Sequence, residues 1–313
     1  MMPSYPVRLL LLASASFFLV QILVAAVVAL AAPAAIRRAG SMRPHRAAGF
    51  LLTLRLLPAA FSAMVVAALC VPSYLRFEPR VAEEQVGALC VAAAILGAAF
   101  CAIGISRSLA ALIRSSLFVR RSEAVESNIL GERVWVVRQR ASLALAGILS
   151  PRLLISERAL HELSEDQLSA ALRHEHAHRA SRDNLKRLLI LLAPPVFPRL
   201  RLLEQAWAQC AEWAADDRAA DGNVDRSTAL AEALVRVARL QQDLRMPPLV
   251  TSLVGADEDL SLRVDRLLES RVYESQRRSG TIALSVAAVL VMSLAINAGS
   301  LRVVHDLLER LLD

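Results

Sequence analysis

The hydrophobic pattern divides the chain into long apolar runs and one long, mostly polar segment. The apolar runs cover residues 9–35, 49–71, 86–105 and 281–298. A helix that crosses a bilayer needs about 20 consecutive apolar residues, so each run predicts one transmembrane helix. Residues 1–105 are therefore predicted to form a membrane region with three spans. Residues 299–313 are predicted to be a short tail after a fourth span.

The loops between the predicted spans indicate how the chain is oriented. The loop between the first two spans contains several arginines and no acidic residue, whereas glutamates outnumber arginines in residues 72–85. Arginine-rich loops are retained in the cytoplasm, so the first loop is predicted to be cytoplasmic and the second to lie outside. We therefore expect a multi-pass protein of the cytoplasmic membrane, with residues 106–280 on the cytoplasmic face and both termini outside.

Two details of the apolar runs need a separate interpretation. Arg55 lies inside the second run, close to its predicted cytoplasmic end, and we expect its side chain to reach the lipid headgroups. Residues 187–198 form a further apolar run that is interrupted by prolines and too short to span. An interfacial or a re-entrant helix fits this run, and the sequence leaves both open.

The pattern within residues 106–280 predicts short strands followed by helices. Residues 132–140 are rich in β-branched and aromatic side chains, and residues 143–156 form two short apolar segments broken at Gly147. Ser164 and Gln167 then form the capping box that starts a helix. Further helices are predicted at residues 201–221, 226–243 and 260–270. The chain is thus predicted to be a mainly α membrane protein with an α+β domain between its third and fourth spans.

Composition supports a membrane protein and limits the other classes. The chain is 56% hydrophobic, its mean hydropathy is +0.45, and its net charge is +7. Nearly all of the positive charge is arginine, and Lys186 is the only lysine. No basic stripe with interleaved aromatic residues is present, so we expect no direct binding to nucleic acid. The arginines instead flank the predicted spans, and the lipid bilayer is the expected partner.

The four cysteines contain no C-x-x-C pair, which argues against a thiolate zinc site or a redox motif. Cys70 and Cys90 flank the same predicted outer loop. They could form a disulfide there, or they could be separate apolar side chains in membrane helices. The spacing leaves both possibilities open.

Three of the six histidines lie in the stretch H-E-H-A-H, residues 174–178. On a helix His174 and His178 are about 40° apart and share one face, and Glu175 lies beside them. This is the H-E-x-x-H arrangement, in which two histidines bind zinc and the glutamate removes a proton from water. The alternatives are H-x-H-x-H on a strand and an ordinary polar helix face. The capping box argues against the strand.

A second acidic motif offers a further metal ligand. The stretch E-W-A-A-D places Glu212 and Asp216 one turn apart on a predicted helix, far enough beyond His178 for the chain to return. Glu212 could give a carboxylate to zinc, and Asp216 could accept a hydrogen bond from a ligand imidazole. The alternative is a solvated acidic helix end.

These motifs resemble those of the BlaR/MecR-type antirepressor metallopeptidases. The resemblance rests on H-E-H-A-H, the following R-A-S-R-D-N-L-K-R-L-L, E-W-A-A-D-D, and G-I-L-S-P-R-L-L-I-S at 147–156, which is similar to the strand before the catalytic helix of that family. Three spans before the motifs and one after them also agree. The resemblance implies a gluzincin, with one Zn²⁺ held by His174, His178 and Glu212. It further implies Glu175 as catalytic base, Asp216 as the orienting acid and a BlaI/MecI-type repressor as possible substrate.

One difference from that family limits what can be carried over. Its antibiotic-sensing members have a large penicillin-binding domain after the last span, whereas this chain ends at residue 313. We therefore expect the protease part without β-lactam sensing, and predict a zinc endopeptidase of the cytoplasmic membrane face that acts in regulatory proteolysis. The alternatives are an HtpX-like quality-control protease and a non-catalytic, metal-binding signalling or scaffold protein. We also expect residues 147–156 to offer an edge strand to an extended substrate.

Overall fold

The computed structural model describes most of the chain up to residue 269. The described residues are 4–78, 86–122, 124–138, 143–148, 151–240, 250–252 and 260–269, together with 302, 303 and 306. The predicted fourth span at 281–298 and most of the predicted tail lie outside them.

Three helices of the described part are long and apolar enough to cross a membrane, which agrees with the first three predicted spans. Helix α1 is Tyr5–Gly40, the second span is Pro44–Phe77, and α4 is Ala88–Arg121. The second span consists of α2 (Pro44–Val65), a π-helical turn (Val66–Cys70) and α3 (Val71–Phe77). The helices are longer than the predicted spans because hydropathy marks only the part suited to hydrocarbon, whereas backbone hydrogen bonding continues into the polar flanks.

Small residues allow the long helices to pack closely. A Cβ added to Gly97 of α4 would lie 2.4 Å from the backbone oxygen of Ser14 in α1. At the end of the bundle where α1 begins, Arg8 and Glu78 form a buried ion pair of 3.2 Å. Cys70 and Cys90 are buried in an apolar cluster and carry free thiols. The structure thus favours the interpretation of these cysteines as separate apolar side chains.

The expectation that the Arg55 side chain reaches the lipid headgroups is wrong. Its side chain is 2% exposed, donates a hydrogen bond of 2.8 Å from Nη2 to the backbone oxygen of Ala193, and lies 3.5 Å from Glu204. A helix-end carbonyl and a carboxylate within the protein therefore replace water and lipid headgroups around this charge.

The sheet has five strands among the described residues, in the order β1-β2-β4-β3-β5. The pair β2–β4 is parallel, and the other pairs are antiparallel. Strands β2 (Glu132–Val137), β3 (Leu143–Ala146) and β4 (Arg152–Ser156) confirm the sequence prediction, whereas β1 (Val125–Ile129) and β5 (Val250–Ser252) were not predicted.

The expectation that residues 147–156 supply a free edge strand is wrong. Strand β4 lies between β2 and β3, and β3 pairs on its other side with β5. Two short apolar strands cannot be placed in a sheet from their own sequence, because register and neighbours depend on distant segments. The open edges of the described sheet belong to β1 and β5.

Six helices follow β4 in the described part of the polar segment. They are α5 (Glu157–Glu162), α6 (Glu165–Ser181), α7 (Asp183–Leu192), α8 (Pro198–Ala220), α9 (Val224–Leu240) and α10 (Leu260–Leu268). The predicted capping box is present, since Ser164 and Gln167 exchange side-chain and backbone hydrogen bonds at the start of α6. The short apolar run at 187–198 forms the end of α7 and a proline-rich turn, with Leu189 and Leu192 exposed.

Two apolar cores hold these helices in different ways. The first core joins α6 and α9 to the sheet through buried residues such as Leu172, Leu234 and Ile155. The second core joins α8 to the long apolar helices α1 and α2, and it includes Trp207 and Leu51. The first part of α8 therefore packs on α1 and α2, while its last residues, Ala219 and Ala220, join α6 in the first core.

Candidate metal centre

Helix α6 brings His174 and His178 onto one buried face. The two residues are one turn apart, both are fully buried, and their Nε2 atoms are 3.1 Å apart. His176 points elsewhere, with its Nε2 3.2 Å from Oε2 of Glu132 on β2. The helical interpretation of the H-E-x-x-H stretch is therefore confirmed, and the strand alternative is wrong.

Helix α8 brings a third ligand group to the pair. Oε2 of Glu212 lies 3.5 Å from Nε2 of both His174 and His178, so that the three atoms form a compact triangle. Ligand atoms at the corners of a zinc tetrahedron lie about 3.3 Å apart, given zinc–ligand bonds of about 2.0–2.1 Å. Two imidazole nitrogens and a carboxylate at these distances fit a zinc ion.

Two further carboxylates face the other nitrogens of the imidazoles. Nδ1 of His178 donates a hydrogen bond of 2.7 Å to Asp183. Oδ1 of Asp216 lies 2.9 Å from Nδ1 of His174, although this contact is not aligned as a hydrogen bond. A carboxylate at Nδ1 favours the tautomer that carries its proton there, which leaves the Nε2 lone pair for a metal. Asp216 therefore lies beside one of the two imidazoles, and its role as the orienting acid stays a prediction.

The sequence interpretation missed Asp183. Arg182 adopts a left-handed conformation with φ of 55° and ends α6, so that α7 starts at once in a new direction. This reversal directs Asp183 back to His178. The next residue, Asn184, holds the turn in place by donating hydrogen bonds to the backbone oxygens of Leu145 in β3 and of Gly147. A spacing of five residues does not share a helix face, so only the polar R-D-N sequence after the histidines could have indicated this residue.

Arg263 of α10 is a second residue that the sequence interpretation missed. Its side chain is 2% exposed and donates two hydrogen bonds to Asp216, of 2.8 and 2.7 Å. Its Nη1 lies 3.4 Å from Oε2 of Glu212. The available signal was its place on the apolar face of the helix, beside Leu260 and Leu267, where a charged residue needs a buried partner.

The buried charges around the centre shift one another's protonation. Burial alone would raise the pKa of Asp216, but the charge and hydrogen bonds of Arg263 lower it to about 2. Burial would lower the pKa of His178, but the negative charge of Glu212 and the hydrogen bond to Asp183 raise it to about 10. The metal-free centre therefore holds a proton on the imidazole pair, opposite ionised carboxylates.

Glu175 is buried beside the histidines but, unlike the other carboxylates of the centre, it has a raised pKa. Its side chain is fully buried, and neither carboxylate oxygen has a hydrogen-bond partner among the described residues. Burial raises the pKa of Glu175, and the neighbouring positive charges only partly oppose this effect. A carboxyl group without a protein partner and with a raised pKa is suited to exchange protons with a bound molecule.

Three features occur together in the described residues: a helix with H-E-x-x-H, a carboxylate from the next long helix, and three long apolar helices. This combination is typical of membrane-associated metallopeptidases. A family model described as BlaR1 peptidase M56 matches residues 5–267. Because the match covers most of the chain, the protein belongs to the BlaR1 peptidase M56 family. The resemblance to the BlaR/MecR type is thereby confirmed. No curated protein matches the chain significantly.

Proposed function

We propose that the protein is a zinc-dependent metalloendopeptidase that cuts a regulatory protein at the cytoplasmic face of the membrane. The observation that supports it most strongly is the triangle formed by His174, His178 and Glu212, with distances of 3.1, 3.5 and 3.5 Å, next to the unpartnered carboxylate of Glu175. Family membership supplies the peptidase activity. The metal, the orientation and the regulatory role belong to the proposal.

In this proposal Nε2 of His174, Nε2 of His178 and Oε2 of Glu212 hold the ion. When bound, zinc would make water more acidic and polarise the carbonyl of the substrate peptide bond. Asp183 accepts the Nδ1 proton of His178, Asp216 faces Nδ1 of His174 with its negative charge, and Arg263 keeps Asp216 ionised. The protein thus fixes the orientation of both imidazoles from the far side.

Glu175 acts as the general base of the proposed reaction. A carboxylate oxygen of Glu175 takes the proton from the attacking water and later gives it to the nitrogen of the leaving amine. Burial favours this role, because it raises the pKa of Glu175 toward the value at which the group can both accept and release a proton. No hydrogen bond from another described side chain competes for its oxygens.

The proposed substrate is a cytoplasmic regulator, and a repressor of the BlaI/MecI type is the candidate that the family suggests. The test compares protein amino termini in cells that produce the wild-type protein or Glu175→Gln at equal levels. The substitution keeps the size of the side chain and removes its ability to hold the proton. We expect new amino termini only with the wild type, while purified Glu175→Gln still contains zinc.

The outcomes separate the proposal from its alternatives. One repressor-like target would support regulatory proteolysis, whereas many misfolded membrane proteins would indicate an HtpX-like role. Identical amino termini in both strains, under all growth conditions applied, would favour the metal-binding scaffold. His176→Gln provides the control. It changes a side chain of the same helix on the face that contacts Glu132, so cleavage should remain intact.

A further inference from the structure

The turn between α7 and α8, residues 193–197, is held by two of the membrane-spanning helices, and we refer to it as the α7–α8 corner. Arg55 of α2 donates a hydrogen bond of 2.8 Å to the backbone oxygen of Ala193. Ala193 follows the last residue of α7, where backbone oxygens have no partner within the helix. Arg55 therefore closes the end of α7 with a buried, charge-assisted hydrogen bond.

Gly104 of α4 contacts the same corner from another side. A Cβ added at this position would lie 2.1 Å from the backbone oxygen of Leu192 and 3.1 Å from Cδ of Pro194. A carbon cannot approach an oxygen so closely, so any side chain at 104 would displace the end of α7. Glycine is the residue that permits this contact between α4 and the corner.

The two helices that leave the corner carry residues of the metal centre. Asp183, which bonds to His178, is the first residue of α7, and Glu212 lies in α8. At 1.5 Å per residue, Asp183 is about 14 Å along α7 from its last residue, and Glu212 is about 21 Å along α8 from its first. A displacement or rotation of the corner would therefore move both groups.

The packing of the helices makes such a movement matter for the metal centre. Residues 200–211 of α8 share a core with α1 and α2, whereas α6, which carries His174 and His178, shares a core with the sheet, α9 and the last residues of α8, Ala219 and Ala220. Glu212 thus lies between the part of α8 that packs on the long apolar helices and the part that packs with α6. The distance from Glu212 to the histidine pair therefore depends on where the first part of α8 is held.

We infer that Arg55 is a positioning residue for the metal centre and that Gly104 assists it. Together they fix the α7–α8 corner against α2 and α4, and the corner fixes the separation between Glu212 and the histidine pair. This inference rests on the proposed metal site and adds its regulation. A shift of α2 relative to α4 that releases Ala193 would move Glu212 away from the imidazoles and turn the centre off.

The test uses the full-length protein in lipid nanodiscs, loaded with Co²⁺ in place of zinc. The visible absorption bands of Co²⁺ report the number and arrangement of its ligands, independently of any peptide substrate. The variants are Arg55→Gln and Gly104→Ala. The matched controls are Arg8→Gln, which removes an equally buried arginine from the far end of the bundle, and Gly97→Ala, which introduces a similar clash between α4 and α1.

We expect Arg55→Gln and Gly104→Ala to change the cobalt bands and to release the metal about 10-fold faster, comparable to the loss of an outer-sphere contact. Arg55→Lys, which can still donate to Ala193, should restore part of the wild-type spectrum. The two controls should keep wild-type bands and release rates, even where they lower the unfolding temperature.

Two results would overturn the inference while leaving the proposed function in place. One is that Arg55→Gln and Gly104→Ala, folded and loaded, give the wild-type spectrum and release rate. The other is that the controls change both quantities as much as these variants do, because the effect would then be general loosening of the bundle. If the wild-type protein itself gave no ligand-field bands, the metal site would be refuted and this inference with it.

Discussion

At the scale of residues, the centre is a buried network in which imidazoles alternate with carboxylates. His174 and His178 each face a carboxylate at Nδ1, and both face Glu212 at Nε2. A single buried carboxylate or imidazolium is costly, but a network in which each charge has a partner is tolerated. The same partners orient the imidazoles, so charge balance and ligand geometry have one structural origin.

Asp183, which bonds to the proposed ligand His178, should strengthen metal binding as hydrogen-bond partners of metal ligands usually do. We expect Asp183→Ala to weaken zinc binding by about 10- to 100-fold, and Asp183→Asn to weaken it less, because the amide oxygen still accepts from Nδ1. Competition with a chelator measures both values. Asp217→Ala is the control, since Asp217 bonds to Arg266 and has no hydrogen bond to an imidazole of the described residues. Unchanged affinity in Asp183→Ala would contradict the assigned contact.

The protonation of the metal-free centre predicts a pH dependence. The pKa of His178 is raised to about 10, so its ring carries a proton at neutral pH, and zinc must displace that proton from Nε2. Zinc affinity should therefore rise with pH throughout the range below about pH 10, by about tenfold per unit for each proton released. Titrations at several pH values measure this slope, and an affinity that stays constant over the range would count against the protonated centre.

At the scale of elements, α8 and α10 are joined by two arginine–aspartate pairs of unequal depth. Arg263 and Asp216 are both almost completely buried, whereas Arg266 and Asp217 are partly exposed. Removing one partner of a deeply buried pair leaves the other as an uncompensated charge, which is far more costly than the loss of an exposed pair.

This difference can be measured with matched variants on the same helix. Arg263→Met should lower the free energy of unfolding by about 3–5 kcal/mol, because Asp216 remains buried without its partner. Arg266→Met should cost about 1 kcal/mol or less. Arg263→Met should also release zinc more readily, since Asp216 then takes up a proton and no longer faces His174 as a carboxylate. Equal effects of the two substitutions on stability would contradict this account.

At the scale of the whole molecule, the sheet-based part and the long apolar helices meet at the proposed metal centre. The histidines on α6 belong to the first part, and α8 carries Glu212 between a segment packed on α1 and α2 and a segment packed with α6. In the proposed peptidase, a movement of the long apolar helices could reach Glu212 through α8 without a separate linker.

The orientation of the molecule is open to a direct test. Arginine-rich segments flank the ends of the spans that we propose to be cytoplasmic. A reporter enzyme that works only outside the cytoplasm should therefore be active when it is inserted between Phe77 and Ala88. The same enzyme should be inactive when it is inserted between Gly40 and Pro44. A cytoplasmic location for the first fusion would contradict the proposed layout and favour the HtpX-like alternative.

The sequence predicted the elements whose cause is local. The three described spans follow from runs of apolar residues, the start of α6 from Ser164 and Gln167, and the shared face of His174 and His178 from the helical repeat. Glu212 and Asp216 could be singled out because they also lie one turn apart on a helix. Residues 281–298 remain a predicted span outside the described part.

Only the tertiary structure shows which distant segments meet. The sequence could not predict that Arg55 would bond to Ala193, that Arg263 would bond to Asp216, or that β5 would pair with β3. It could not place Asp183 either, because its contact depends on a single left-handed residue between two helices. Local periodicity fixes the face on which a side chain lies. The partner on that face is fixed by long-range packing, in which buried charges and open strand edges are satisfied by residues far away in the chain.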